Sequence, residues 1–367
     1  MQVTRRQFLR FAGGASLILG TGYWGGSNYQ NLNDQSTRLY SAATLENGLY
    51  ALVLVELSTF SQRIFPLPFQ GHDVLPVRAH QVLVSGRRPS TQSALVNTQT
   101  GETQLIQAGA GRHFNGHGCL NSDGTVLFTT ENAYDEVLGV IGIRDSKTGQ
   151  QLGEYLSGGL DPHDIKLMPD GKTLVIANGG IKTHPDFGRR KLNIETMQPS
   201  LVYLDSTNGK VLGEYRLPQH QLSIRHITVT PSGHVGVALQ YEGNRARVPP
   251  IALVAFQAFG HPLTPILSTP EQLAPFNGYL GDVIINPDTE ELMATSLLGN
   301  AVGTWDLSHQ RFKSSMSLAE ANGIVLTPNR QVFVSSAAGF ISQCSDNRST
   351  PCSLAAPVSW DNHLVVV

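Results

Sequence analysis

Five histidines stand at comparable places along this chain, and imidazole nitrogen suits the transition metals zinc, copper, iron and nickel. His72, His117, His163 and His226 each lead into a short apolar run; Asp282 and Asn322 hold the same place in two further copies, and His363 does so near the chain end. Each of the seven precedes a stretch that should be buried. A subset of two or three histidines converging beside an open position predicts a centre for iron, copper or zinc, or for haem iron. Asp282 would add a hard carboxylate ligand. A purely structural reading stands beside this one, in which the histidines bridge neighbouring units or line a wet channel. A ring of seven is expected to be too wide for all five to meet at one ion. The interval from His163 to its following turn is one residue longer than in most copies. That side chain is therefore expected to sit differently.

An internal repeat positions these residues. A polar residue leads an apolar strand, a turn and a second strand. His117 precedes Ser122-Asp123-Gly124, His163 precedes Pro169-Asp170-Gly171, and His226 precedes Pro231-Ser232-Gly233. A second hairpin follows each first one, turning at Asp145-Ser146-Lys147-Thr148-Gly149 and again at Asp205-Ser206-Thr207-Asn208-Gly209. Asn, Asp and Gly supply the backbone angles such turns need. Each unit is then four antiparallel strands, which is a propeller blade. Six blades begin near residues 72, 117, 163, 226, 282 and 322. Residues 38–66 supply three strands and 363–367 supply one, so the two ends complete a seventh blade and remove the open edges. The expected fold is all-β: a seven-bladed β-propeller over 31–367, of four-stranded antiparallel blades, closed by N- and C-terminal strands sharing one blade.

In that geometry the seven polar residues ring one mouth of the central axis. The loops between second and third strands lie on the same face. Arg87 and Arg88 come from one such loop, Glu131 and Asn132 from the next. The longest runs from Asn178 to Ser200 with Lys182, His184, Asp186, Arg189, Arg190 and Lys191. Long ordered loops in compact folds are often functional. Glu131, Asn132, Asn178, Lys182, His184, Arg189, Arg190, Asp282 and Asn322 are the expected ligand-binding set. The cationic members suit an anionic ligand or an acidic partner. The alternative is a solvated lid packed across the mouth.

The first 30 residues read apart from the rest. Thr4-Arg5-Arg6-Gln7-Phe8-Leu9-Arg10 precedes an apolar stretch from Phe11 to Trp24, matching a twin-arginine export signal. The stretch falls short of the roughly 20 apolar residues of a membrane span. No clear A-x-A cleavage site follows, so a retained anchor stays open. Export predicts a periplasmic protein, and a monomer is expected. There, Cys344 and Cys352 are candidates for a disulfide, while Cys119 reads as a buried thiol.

Charged residues are 15% of the chain and the net charge is −2 with no basic stripe, so nucleic acid is not an expected partner. The G-x-S-x-G, H-E-x-x-H and C-x-x-C-H patterns are absent from the sequence, as are P-loop and dinucleotide fingerprints.

Several strings are long enough to be specific: Gly116-His117-Gly118, Thr130-Glu131-Asn132, Asp161-Pro162-His163, Ala177 to Pro185, Ser223-Ile224-Arg225-His226 and Trp360-Asp361-Asn362-His363. Through them the chain resembles an uncharacterised family of exported propellers, domain of unknown function 1513. The resemblance implies the propeller, twin-arginine export and frequent company with imelysin-like proteins tied to iron. It implies no activity. Asp282 departs from that family's usual small residue. Three functions follow as expectations. One is a periplasmic binding or accessory protein holding a small ligand, a transition metal or a haem-type cofactor at the mouth. Another is a metal-dependent hydrolase, lactonase or redox enzyme. The third is a scaffold for a periplasmic partner protein.

Overall fold

Seven antiparallel sheets surround one axis in the computed structural model, which describes residues 37–188 and 190–367. The twin-arginine segment and Arg189 lie outside the described residues. Among the described residues no helix is long and apolar enough to cross a membrane.

The innermost strands are Gly71–Arg78, His113–Leu120, Pro162–Leu167, Leu222–Val229, Val283–Asn286 and Ala321–Leu326. Each contacts the next around the axis. Three further strands extend each of these sheets outward in sequence order, giving blades 2 to 7. Blade 1 is built from Arg38–Thr44, Tyr50–Glu56 and Gln62–Leu67. Its inner edge comes from the C-terminus: Ser359–Trp360 and Val365–Val366 both pair with Arg38–Thr44. The backbones of Arg38 and Val367 exchange two hydrogen bonds of 2.9 Å. The expected closure is thus present, with two short terminal strands in place of one.

Burial follows the radius. Inner strands such as Thr173–Asn178 are buried throughout, while the outermost Gln151–Leu156 and Arg311–Ser317 alternate between half-buried and exposed. That alternation marks a sheet edge with one face on the core and one in water. Apolar side chains fill the gaps between blades; Val175, Leu239, Phe276 and Trp305 belong to one cluster spanning blades 4 to 6. The hairpin turns form as expected. The Asp145 carboxylate accepts from the backbone nitrogens of Lys147 (3.0 Å) and Thr148 (2.8 Å), and Gly149 takes the left-handed φ of 71° that completes the turn.

The three cysteines are free. Cys344 and Cys352 are not joined, which corrects the candidate disulfide. Cys119 is the expected buried thiol, and burial pushes its pKa up to about 12.

Candidate metal centre

Five of the six inner strands that open blades carry a register irregularity at the same end. The shifts fall between Gly71 and Val74, Phe114 and Gly118, Pro162 and Asp164, Ile224 and His226, and Ala321 and Ile324. A bulge adds a residue against the ladder and re-aims a side chain. Here the bulged segments turn His72, His117 and His163 inward, with His226 at the end of its own. Gly116, at φ 110°, makes the approach possible, since a Cβ there would stand 2.5 Å from the His72 ring.

The result is tighter than a ring. His72, His117, His226 and His363 each place one ring nitrogen within 4.8 Å of the others. All four residues are at most 5% exposed. Ring centroids among the five histidines lie 4.6–6.4 Å apart in the pairs that touch. Four imidazoles thus come together, more than the expected two or three, and His163 is not among them. Bulges at or beside His72, His117 and His226, together with the segment between the two C-terminal strands that carries His363, bring four rings together. Rings in mutual contact also leave no slot for a porphyrin, so the haem alternative does not fit.

An oxygen faces Nδ1 of each of the four. His72 Nδ1 lies 2.7 Å from Asp361 Oδ1, and His226 Nδ1 lies 2.6 Å from the Gly281 carbonyl. His117 Nδ1 stands 3.3 Å from Asp73 and 3.5 Å from Asp164. His363 Nδ1 stands 3.3 Å from Asp282. Orientation of one ring nitrogen by a carboxylate or carbonyl is the usual support of a metal-binding imidazole. Nε2 of His117 and of His363 has no hydrogen-bond partner and could meet a metal.

His163 sits apart, as its longer interval predicts. Its Nε2 meets His226 Nε2 at 3.1 Å. The Gly281 carbonyl can only accept, so His226 carries its proton on Nδ1 and receives the His163 proton at Nε2. His163 thereby occupies the lone pair that His226 would offer a metal.

Burial holds His117, His163 and His226 well below the ordinary histidine range, with neighbouring positive charge and imidazoles adding to the effect. Burial also lowers His72, to about 4, against the opposing pull of Asp361. His363 behaves oppositely. Burial would lower it, but Asp282, Asp73 and Asp164 outweigh that and hold it up at about 9. The centre therefore favours one positive charge among neutral rings.

Other expected site residues fall elsewhere. Asp282 is not aimed at the axis as a ligand: its oxygens accept from the backbone of Val283 (3.1 Å) and Ile324 (3.0 Å), tying blade 6 to blade 7 while facing His363. Asn322 donates to the Trp360 carbonyl at 2.6 Å and holds the closing strand. Glu131 is fully buried inside blade 3, paired with Arg144 at 2.8 Å and accepting from Thr129 at 2.7 Å. Asn178 is fully buried and donates to the Ser157 carbonyl. Asn132 donates to Asn115 at 2.9 Å beneath the mouth. In the long loop Lys182 and Arg190 are exposed, His184 pairs with Asp135 of blade 3 at 3.2 Å, and Lys191 pairs with Glu242 of blade 5. The loop thus straps blades 3 to 5 together, and among its described residues none is grouped with the four histidines.

Sequence reasoning passed over Asp73, Asp164 and Asp361, which orient or surround the imidazoles. A signal was present: His72-Asp73, His163-Asp164 and Asp361-Asn362-His363 set a carboxylate within two residues of three of the five histidines.

Among solved structures the fold resembles a chain of Kuenenia stuttgartiensis hydrazine synthase, with a TM-score of 0.60 and 15% identity over 91% of this chain and 100% of that one. Identity at that level carries the fold alone. Among curated proteins no sequence matches. The profile of the family described as "Protein of unknown function (DUF1513)" matches residues 65–367, so the chain belongs to that family.

Proposed function

We propose that this protein is an exported, periplasmic propeller that holds one first-row transition-metal ion on the axis through His72, His117, His226 and His363. The observation that carries this reading is the convergence of four buried imidazole nitrogens within 4.8 Å. In a tetrahedral site with metal–nitrogen distances of about 2.0–2.1 Å, ligand nitrogens stand about 3.4 Å apart. The four here need to draw in by at most about 1.5 Å. Part of that movement frees His226 from His163.

Three features support ligation over simple packing. Buried polar atoms normally find partners, yet both nitrogens of His117 and Nε2 of His363 lack one. Nδ1 of His72 and of His226 is already held by an oxygen, at 2.7 Å and 2.6 Å. The carboxylates of Asp282, Asp73 and Asp164, which hold His363 protonated, support a cation at this spot. A metal would replace that proton and release it. Enclosure by protein favours holding the ion over turning over a substrate, because catalytic centres keep an open coordination position. Twin-arginine export, which carries folded proteins, suits loading before export.

Untagged protein exported by its own signal is expected to carry close to one metal ion per chain by elemental analysis. A His117→Ala, His226→Ala, His363→Ala variant that keeps its β-rich circular dichroism is expected to carry less than about a tenth of that. Equal metal content in both proteins, or none in either with no thermal shift on adding iron, copper or zinc, would refute the proposal.

A further inference from the structure

Above the histidines, at the mouth, three guanidinium groups crowd around two carboxylates. Arg88 and Arg225 share Asp161, at 2.6 Å and 3.1 Å. Asn115 donates to the same carboxylate at 3.0 Å. Arg87 pairs with Asp361 at 2.5 Å, and the other Asp361 oxygen faces His72. The acceptors are thus heavily used while the donors are not. A guanidinium offers five N–H donors. Arg225 is 5% exposed, and its Nε has no hydrogen-bond partner. A buried donor without an acceptor is costly.

Tyr279 lies within the fields of Arg225, Arg87 and Asp361. Its hydroxyl oxygen accepts from Asn362 Nδ2 at 3.0 Å, which leaves the hydroxyl proton to give. Glu242 approaches Arg225 from the blade 5 loop, but it is paired with Lys191 and adds no net negative charge to the set. Arg87 and Arg88 are about a quarter exposed, at 24% and 22% of their side chains, so the donors face solvent over the axis. Asp161 holds a left-handed φ of 57°, a conformation that a non-glycine residue keeps only when its surroundings enforce it.

We propose that this mouth binds a small oxyanion, of carboxylate or phosphate chemistry, between Arg225, Arg87 and Arg88 with the Tyr279 hydroxyl as a further donor. Three positive groups against two negative ones give the mouth a surplus positive charge, and planar guanidinium forks match oxyanion geometry. The proposal does not rest on the metal, since these side chains are in place without one.

Calorimetric titration of protein made metal-free on chelating resin, with sodium phosphate in one arm and sodium citrate in the other, tests this at low salt. Saturable 1:1 binding is expected in at least one arm, and the arm that responds identifies the oxyanion. An Arg87→Lys, Arg88→Lys variant keeps the charges that pair Asp361 and Asp161 but loses the forks. It is expected to melt at the same temperature and to bind at least about tenfold more weakly. Binding of equal strength in this variant, or no saturable heat in either arm with folded wild-type protein, would overturn the proposal. Because the titration contains no metal, its failure leaves the metal reading untouched.

Discussion

Metal-free protein will lose stability steeply between pH 7 and pH 5. His117, His163 and His226 are held well below 6.5 and His72 at about 4, so all four are neutral when folded. In the unfolded chain each takes up a proton near pH 6.5. Below that pH the unfolded state binds more protons, and stability falls as pH falls. At pH 5 each such histidine costs up to about 2 kcal/mol, hence about 8 kcal/mol for the four as a ceiling. His363 has the opposite sign. Its folded pKa of about 9 makes its contribution complete below 6.5 and lost as pH rises through 9. Stability should therefore peak between pH 6.5 and 9. Asp361, held down at about 2 because His72 and Arg87 outweigh its burial, stays out of this window. Thermal melts of the metal-free protein should show a drop on the order of 10 °C from pH 7 to pH 5. A flat profile would mean that the rings are not held neutral.

Glu131→Ala is expected to destabilise the fold by about 3–5 kcal/mol, measured by urea unfolding, because it strands Arg144 without its partner. Glu131 and Arg144 are at most 1% exposed, and Gly142 leaves the space they fill: a Cβ there would stand 2.2 Å from the Glu131 carboxylate. Arg144 also lies over the Phe114 ring at 4.9 Å. Glu131→Gln, which keeps shape and one acceptor, should cost less. Equal stability of Glu131→Ala and wild type would show that the pair is not the internal tie of blade 3. Neither variant is expected to change metal content.

That Glu131 is internal shows where sequence reading reached its limit. The turns announced the blades because Asp145, Gly149 and their copies act locally, through backbone angles and side-chain caps. Ring closure was legible for a similar reason: the ends carry complementary shares of one blade. The histidines were legible as one repeated position, although His117 and His226 lie within strands that begin earlier, at His113 and Leu222, and the longer interval after His163 marked the odd ring. The bulges were not legible. A bulge shifts register by a residue, which changes the face a side chain takes and here draws the His72, His117 and His226 rings toward the axis, where His363 meets them. Glu131 lies one strand further out, where alternation and the Gly142 gap decide that it meets Arg144 and not the mouth. The carboxylates at Asp73, Asp164 and Asp361 were adjacent to the histidines in sequence, but their role depends on neighbouring blades that only the closed ring brings into reach.

Zinc K-edge X-ray absorption on untagged, zinc-loaded protein tests whether the four imidazoles form a metal centre. Predicted is a first shell of four light-atom ligands at about 2.0–2.1 Å with the outer-shell scattering of at least three imidazole rings, lost in His117→Ala, His363→Ala protein. A shell of oxygen ligands without ring scattering, or a spectrum unchanged in the variant, would contradict it.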